Sequence, residues 1–341
     1  MASHRRPKQT SRTRITVLTA TAAAAVAISA QAAQAAPAKQ SVKSVKAKVD
    51  ALYEQTEQAT EKLNGAKEKQ EQLQKQVDNI QDEVARQQDE LNDLQDDLGT
   101  LASAQYRSGG IDPTLQLFLS TDPDTYLDKA STLEALSTKQ AEGLRQIAEK
   151  KRSLAQQKAE AASKLTELDR TRTELARKKK QVQGKLAETQ RLLNSLTAAQ
   201  RAAVAAADAG AGVGNQHVNL GNDTPATSRA AAALAAAQTR IDMPYVYSHA
   251  GPTSFDCSGL TFWAYAQADV TIPRISQDQA NAGTRLSMSQ LQPGDLVIFY
   301  GDLHHVGLYA GNGMVLHAPH SGALVRYESI NNMPFQFGVR I

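Results

Sequence analysis

The sequence contains a single cysteine, Cys257, and its position favours a chemical role. It follows Asp256, a good helix N-cap residue, and precedes an apolar run at residues 261–266, so we expect Cys257 at the first position of a helix. The positive end of the helix dipole stabilises a thiolate and should lower the pKa of the thiol. The sequence therefore favours a reactive cysteine over the buried, inert cysteine that is common in proteins.

Two downstream histidines could accept the proton of this thiol. His305 and His317 lie in strand-like runs that the turn at residues 311–313, Gly-Asn-Gly, separates. Such a turn between apolar runs predicts a β-hairpin, which would place both imidazoles on adjacent antiparallel strands. One imidazole can take the thiol proton while the other orients it. Strand alternation predicts that His305 faces the site and that His304 lies out of it.

The elements that position these residues occupy the last part of the chain. An Ala-rich stretch at residues 229–240 predicts a helix that opens the domain. The turn at residues 291–295 leads into an apolar strand, and the predicted hairpin follows it. We therefore expect residues 229–341 to fold as one domain, with helices first and strands afterwards.

Four linked motifs in this region resemble those of the NlpC/p60 family of peptidoglycan peptidases. They are Phe255-Asp-Cys-Ser-Gly-Leu260, Leu291-Gln-Pro-Gly-Asp-Leu296, His305-Val-Gly-Leu-Tyr309 and Val315-Leu-His-Ala-Pro319. Their order and spacing resemble the family's over residues 228–341. The resemblance implies a papain-like α+β domain, in which the nucleophile helix packs on an antiparallel sheet. It also implies a cysteine endopeptidase that needs no cofactor and cleaves peptidoglycan stem peptides between D-isoglutamate and the diamino acid.

The resemblance assigns roles to the three residues of the predicted site. By position, Cys257 would be the nucleophile, His305 the general base and later the acid, and His317 the polar residue that orients the base.

The resemblance also implies residues around the substrate. Tyr245 matches a tyrosine that flanks the active site in the family, and Asp256 and Ser258 match residues that line the substrate groove. Pro273-Arg-Ile-Ser-Gln277 resembles the segment that follows the nucleophile helix. One stretch departs from the pattern, because Tyr247-Ser-His249 stands where the family usually has Trp-Gly-Gly.

The N-terminal half has the pattern of a coiled coil. Residues 45–101 carry an apolar repeat in steps of four and three, and residues 144–196 carry a weaker one with cations at several seam positions. Gly and Pro between the two repeats allow the chain to reverse. We therefore predict an antiparallel coiled-coil hairpin over residues 40–206 with its tip at residues 107–128. A parallel dimer is the competing arrangement.

Two features suggest how such a hairpin could act on the domain. Residues 207–228 are rich in Gly, Asn, Asp and Thr, which predicts a flexible linker that would let the domain fold back on the hairpin. The tip carries an apolar patch at residues 115–119, which could cap the hairpin or dock a partner. The arrangement resembles wall hydrolases of cell division and elongation, in which the coiled coil answers to a membrane complex. The resemblance thus implies a membrane-protein activator that docks on the coiled coil.

The first residues indicate export. Residues 1–36 contain cations but no acid, then an apolar stretch and the small-residue pattern Ala33-Gln-Ala35, which together predict a cleaved secretory signal. We therefore expect a secreted, cell-wall-associated protein. Without this segment the formal net charge falls from +3 to −2, which gives no support for nucleic-acid binding.

Three alternatives remain beside the peptidase. Zinc could be held by ligands from the set Cys257, His304, His305, His317 and His320, but no Cys-x-x-Cys or His-Glu-x-x-His spacing is present, so we expect no metal. A non-catalytic wall-binding scaffold is the second alternative, and the complete cysteine and histidine set argues against it. An amidase at the sugar–peptide junction, or a transpeptidase, would keep the chemistry and change the bond.

Overall fold

The structure is a computed structural model that describes residues 41–107, 115, 123–213 and 218–341. The predicted signal segment, residues 1–36, lies outside the described residues, as does most of the apolar patch at the predicted tip. Among the helices that are described, none is long and apolar enough to cross a membrane.

Two long helices form the N-terminal part, α1 (Val42–Arg107) and α2 (Pro123–Ser195). Their apolar seams meet with the start of one helix beside the end of the other. Val45 packs near Leu196, and Leu73 packs near Leu168 halfway along the pair. The helices are therefore antiparallel. The steps of four and three in the sequence place one apolar stripe on each helix, and burial of these stripes holds the pair together.

The cations at the seam of α2 are accommodated by polar partners on α1. Arg172 donates a hydrogen bond of 2.9 Å to Gln74, and Lys158 donates one of 3.1 Å to Gln88. The long stems of these side chains allow the charged ends to reach the edge of the seam. The weaker apolar repeat thus still pairs with α1.

A short helix, α3 (Ala198–Ala209), turns the chain back from α2 towards the C-terminal domain. A capping box at Thr197 starts it, and Val204 packs on the first seam cluster of the hairpin. The next residues form β1 (Gly212–Val213), the edge strand of the C-terminal sheet. Val218 and Leu220 also pack against that domain. The segment predicted as a linker is therefore attached to the domain at several points.

The C-terminal domain consists of three helices and an antiparallel sheet. The sheet has the order β1-β6-β5-β4-β3-β7-β2. The helices are α4 (Ser228–Gln238), α5 (Cys257–Ala266) and α6 (Ser276–Gln279), and the further strands are β2 (Thr284–Leu286), β3 (Leu296–Phe299), β4 (His305–Gly311), β5 (Met314–His317), β6 (Arg326–Ser329) and β7 (Phe335–Arg340). The predicted fold class, a helical hairpin followed by an α+β domain, is confirmed.

Alternation along β4 divides the sheet into a core face and a site face. Val306 and Leu308 are fully buried in the main core together with Leu260 of α5. Tyr309 belongs to a second cluster on the other face. Since successive side chains of a strand point to opposite faces, His305 lies on the same side as Tyr309. The core therefore fixes α5 on one face of β4.

Candidate active site

Cys257 is the first residue of α5, as the sequence predicts. Asp256 caps the helix by accepting a hydrogen bond of 2.7 Å from the backbone N–H of Gly259. The thiol is almost fully buried, with 1% of the residue exposed, and its Sγ lies 3.7 Å from the carbonyl oxygen of His304. The nucleophile candidate thus sits at the junction of α5 with the start of β4.

His305 and His317 are in direct contact on adjacent strands, β4 and β5. Nε2 of His305 lies 2.8 Å from Nδ1 of His317. Gly307 makes this contact possible, because a Cβ there would come within 2.4 Å of Val315 and 3.0 Å of the Cβ of His317. The predicted hairpin and the predicted pairing of the two imidazoles are confirmed.

A carboxylate that the sequence did not single out continues this chain of contacts. Oε2 of Glu328, on β6, lies 3.3 Å from Nε2 of His317. Arg326 donates a hydrogen bond of 3.1 Å to the same oxygen. Three neighbouring strands therefore place His305, His317 and Glu328 in a row.

Helix α1 covers the site, and Glu61 makes the closest contacts. Ser258 donates a hydrogen bond of 2.7 Å to Oε1 of Glu61, and the backbone N–H of Ser276 donates one of 2.7 Å to Oε2. The hydroxyl of Ser276 is 3.1 Å from the same Oε2. Oε1 lies 3.9 Å from the Sγ of Cys257. The carboxyl group of Glu61 therefore fills the groove beside the thiol.

Two neighbours of Glu61 on α1 extend the contact in both directions. Oε2 of Glu57 lies 3.3 Å from Nδ1 of His305, although it is not aligned as a hydrogen bond. Asn64 donates a hydrogen bond of 3.1 Å to Asp256. Glu57, Glu61 and Asn64 are four and three residues apart, so they share one face of the helix, and all three are buried.

Arg274 supplies the positive charge in this otherwise acidic contact. Its Nη2 donates a hydrogen bond of 2.6 Å to Asp256, and its Nη1 donates one of 2.8 Å to Ser258. Arg274 and Ser276 both belong to Pro273-Arg-Ile-Ser-Gln277, the segment whose sequence resembles the one that follows the nucleophile helix in the family. Arg274 thereby connects the cap of α5 with the serine that holds Glu61.

Burial by α1 changes the protonation of the site. Burial raises the pKa of Cys257 well above its ordinary value, and the charges of Glu61 and Asp256 raise it further. Burial also raises the pKa of Glu57 to about 8, and it lowers the pKa of His305. The expectation of a lowered thiol pKa is therefore wrong for this state, because desolvation and nearby carboxyl groups outweigh the helix dipole.

The prediction that His304 lies out of the site is also wrong. Strand β4 begins at His305, so strand alternation does not apply to His304. Its ring is buried, stacks on Tyr300 and lies 3.9 Å from Glu57. Its Nδ1 is in contact with Asp302. His304 thus contributes to the surface against which α1 packs.

Tyr245, which the resemblance places beside the active site, lies in the main core of the C-terminal domain. It is buried, and its hydroxyl has no hydrogen-bond partner among the residues that the structure describes. Burial raises the pKa of Tyr245, and the charges of Cys257 and of the surrounding carboxyl groups raise it further. The phenol is therefore a free donor at the site.

A second contact joins the helical part to the domain beside the site. Asp208 of α3 lies 3.0 Å from Nε2 of His320 and accepts a hydrogen bond of 3.2 Å from Arg326. Tyr53 of α1 stacks on the ring of His320, with the ring centroids 3.9 Å apart. We call these four residues the Asp208 latch.

The residues of α1 that reach the site carry no signal in the sequence. Charged residues beside the apolar seam of a coiled coil usually face water, and Glu57 and Glu61 look no different from them. Glu328 could have been found, because β6 follows β5 and its alternation points Arg326 and Glu328 to the face that carries His317. Within the described part of the chain, no group of three or more suitable side chains is arranged to hold a metal ion.

A buried thiol at a helix start, together with two linked imidazoles on the adjoining sheet, defines a cysteine peptidase type of site. Residues 242–339 match the model of the NlpC/P60 family. The C-terminal domain of this chain is therefore an NlpC/P60 domain, and the resemblance noted in the sequence is confirmed.

Curated relatives match the same region. A probable endopeptidase of Corynebacterium glutamicum is 48% identical over 116 residues, which are 34% of this chain and 56% of that protein. A probable endopeptidase of Mycobacterium tuberculosis is 43% identical over 95 residues, 28% of this chain and 25% of that protein. The chain thus spans about half of the first relative and a quarter of the second. The solved NlpC/p60 domain of the peptidoglycan hydrolase SagA is 35% identical and covers 33% of this chain and 98% of that domain, with a TM-score of 0.32.

Proposed function

We propose that this protein is a secreted, cell-wall-associated peptidoglycan hydrolase whose C-terminal domain is a cysteine endopeptidase. It cleaves stem peptides between D-isoglutamate and the diamino acid, and the coiled-coil hairpin regulates it. The observation that carries the proposal is the linked imidazole pair of His305 and His317 in an NlpC/P60 domain whose Cys257 begins α5 against the carbonyl of the adjacent His304. The predicted signal segment supports export.

The chemistry follows from the three residues. Nδ1 of His305 takes the thiol proton, and Cys257 attacks the carbonyl carbon of the scissile amide. The tetrahedral intermediate collapses when His305 returns the proton to the leaving amine of the diamino acid. The acyl group stays on Cys257 as a thioester, which water hydrolyses with His305 as the base. His317 orients His305 throughout, and this step needs no cofactor.

The groove residues fit the substrate that the family resemblance implies. The stem peptide carries a free carboxylate on D-isoglutamate, next to the bond to be cut. In the structure, Ser258 and Ser276 hold the carboxyl group of Glu61 3.9 Å from the Sγ of Cys257. We propose that these serines, with Asp256 and Tyr245, contact the substrate when α1 leaves. Glu61 would then occupy the place of a substrate carboxylate.

The same contacts support autoinhibition. While Glu61 fills the groove, no stem peptide can reach Cys257, and burial keeps the thiol protonated. The contact is intramolecular, so even a weak interaction can hold the groove closed at an effective concentration of about millimolar. A membrane-protein activator that docks on the coiled coil would act by drawing α1 away from the domain.

Digestion of purified peptidoglycan tests the bond. Mass spectrometry of the products should show D-isoglutamate with a free γ-carboxyl group and a diamino acid with a free amine. The Cys257→Ala variant of the same chain is the matched control and should give no products. Intact stem peptides together with free lactyl groups on muramic acid would instead identify an amidase. Equal wall degradation by the Cys257→Ala variant would contradict the enzymatic proposal and leave the scaffold alternative.

A charge reversal in the groove tests autoinhibition. The Glu61→Arg variant brings a second guanidinium next to Arg274 and removes the acceptor for Ser258 and Ser276, so the contact should open. We expect turnover and the alkylation rate of Cys257 to rise at least about tenfold, since loss of a buried charged partner costs several kcal/mol. The control is Asp82→Arg, which makes the same reversal of charge at an exposed site on α1. Equal rates for the parent and both variants would show that α1 does not restrain the enzyme.

A further inference from the structure

Glu328 and the two catalytic histidine candidates form a continuous chain across three strands. His317 lies opposite Arg326 in the pairing of β5 with β6, so Glu328 is the diagonal neighbour of His317 on the same face. Its Oε2 lies 3.3 Å from Nε2 of His317, and Nδ1 of His317 lies 2.8 Å from Nε2 of His305. Every nitrogen of this row except Nδ1 of His305 has a partner within the row.

The row has a direction because a carboxylate can only accept hydrogen bonds. Facing Glu328, Nε2 of His317 must carry its proton, and a neutral imidazole has only one. Nδ1 of His317 must then accept, so Nε2 of His305 must donate to it. This leaves the lone pair of His305 on Nδ1. Without the carboxylate, His317 could take either tautomer. In the tautomer with its proton on Nδ1, His317 would donate to Nε2 of His305, and the proton of His305 would then lie on Nδ1.

Glu328 keeps its charge because of its surroundings. Burial acts to raise its pKa, but the bond with His317 and the charges of His317 and Arg326 outweigh burial and lower the pKa. Arg326 binds the same Oε2 that faces His317, while Asn332 donates a hydrogen bond of 3.2 Å to Oε1. Other charged groups near the row are Asp208 of α3, which binds Arg326 and His320, and Glu57 of α1.

We propose that Glu328 is a positioning residue of the peptidase, which selects the tautomer of His317 and thereby leaves Nδ1 of His305 free to take the proton of Cys257. The catalytic consequence of this role rests on the proposed function. The tautomer of His317, in contrast, is a property of the resting protein and can be measured without a substrate. Glu328 acts through His317, and it has no direct contact with the reacting atoms. The carboxylate is held in place from its own strand by Arg326.

Two variants separate positioning from structural support, each in the full chain that carries Glu61→Arg. Glu328→Leu removes the acceptor, and we expect kcat to fall about 100-fold with KM within about threefold of the parent. Glu328→Gln keeps an acceptor oxygen, which Arg326 holds towards His317, and should recover at least about tenfold of that loss. Asn332→Ala is the control, because it removes a hydrogen bond to Glu328 on the side away from His317, and it should stay within about twofold.

A spectroscopic readout makes the outcome independent of the substrate. Histidine 15N chemical shifts of the full chain without Glu61→Arg should show protons on Nε2 of both His305 and His317. In Glu328→Leu these shifts should move towards a mixture of tautomers, with thermal unfolding checked for each variant. Unchanged shifts and an unchanged kcat in folded Glu328→Leu would overturn the proposal. If the shifts move as expected but no peptidoglycan is cut by any variant, Glu328 still positions His317 and the proposed function is what fails.

Discussion

The two buried faces of α1 are built from opposite kinds of residue. Towards α2 the helix presents an apolar stripe that includes Val49, Leu73 and Val77, each nearly inaccessible to water. Towards the C-terminal domain it presents Glu57, Glu61 and Asn64, which are equally buried. Both faces are packed, but one is held by the removal of apolar surface from water and the other by hydrogen bonds.

This difference separates a permanent contact from a reversible one. Burial of apolar side chains has no competing partner in water, so the hairpin stays closed under ordinary conditions. Buried carboxyl groups regain strong hydration when they leave, which offsets much of what they gain in the groove. The proposed regulation therefore requires only that the domain part from α1 while α1 stays paired with α2. Apolar contact is contributed by Tyr247, which packs near Leu63 and stands where the sequence departs from the family pattern, and by the stacking of Tyr53 on His320.

The largest effect on stability is expected on the apolar face. Leu73→Ala leaves a cavity beside Leu168 and should lower the free energy of unfolding by about 2–5 kcal/mol. Urea denaturation followed by circular dichroism measures it, with exposed Gln72→Ala as the control. Below the unfolding transition, the alkylation rate of Cys257 should not change. A rise like that expected for Glu61→Arg would mean that the two faces are not independent.

A pH dependence is expected on the polar face. Glu57 has its pKa raised to about 8 in the closed state by burial, and burial also raises the pKa of Glu61. A raised pKa stabilises the closed state fully at low pH, and this contribution is lost as pH rises from the ordinary value of about 4.5 towards 8. Opening should therefore increase with pH, by at most about tenfold per unit for each group.

Opening is measured by the alkylation rate of Cys257 in the parent divided by that in Glu61→Arg. Titration of the free thiol affects both rates equally and therefore cancels in this ratio. The ratio should rise between pH 5 and pH 8. Glu57→Gln, which imitates the protonated carboxyl group, should flatten that rise. A ratio that falls with pH, or one that Glu57→Gln leaves unchanged, would contradict the assignment of the titration to Glu57.

The smallest effect is expected at the Asp208 latch, outside the groove. Asp208→Asn removes the charge that His320 and Arg326 share, and the alkylation rate of Cys257 should rise only about two- to fivefold. The exposed change Asp82→Asn is the control. Added salt should weaken the latch in the parent and have less effect in the variant. If Asp208→Asn raised the alkylation rate of Cys257 as much as Glu61→Arg does, the Asp208 latch would be the main contact that holds the domain against α1.

The catalytic part of the site could be predicted because its information is local. Asp256 and Cys257 form a helix start within two residues, and a tight turn brings His305 and His317 together within thirteen residues of chain. These patterns need no knowledge of distant contacts. The helical hairpin was predictable for a similar reason, since its repeat continues through both helices.

The contact of α1 with the site could not be predicted, because it joins residues nearly two hundred positions apart. Nothing in the sequence near Glu61 distinguishes it from the solvated acids of a coiled coil. The pKa of Cys257 was predicted in the wrong direction for the same reason. The dipole of α5 is a local property, whereas the burial and the charges of Glu57 and Glu61 that outweigh it depend on the tertiary structure.

The burial of Cys257 under α1 also has a consequence for the chemical survival of the protein. Peroxides and other oxidants attack the thiolate, and they convert exposed low-pKa cysteines to sulfenic acid and then irreversibly to sulfinic and sulfonic acids. In this structure Cys257 is 1% exposed and the pKa of its thiol is raised, so the sulfur keeps its proton. Outside the cell, where we propose that this protein acts, no reducing system would restore a damaged nucleophile. The helix that we propose withholds the enzyme from its substrate would therefore also preserve it in a usable form until release.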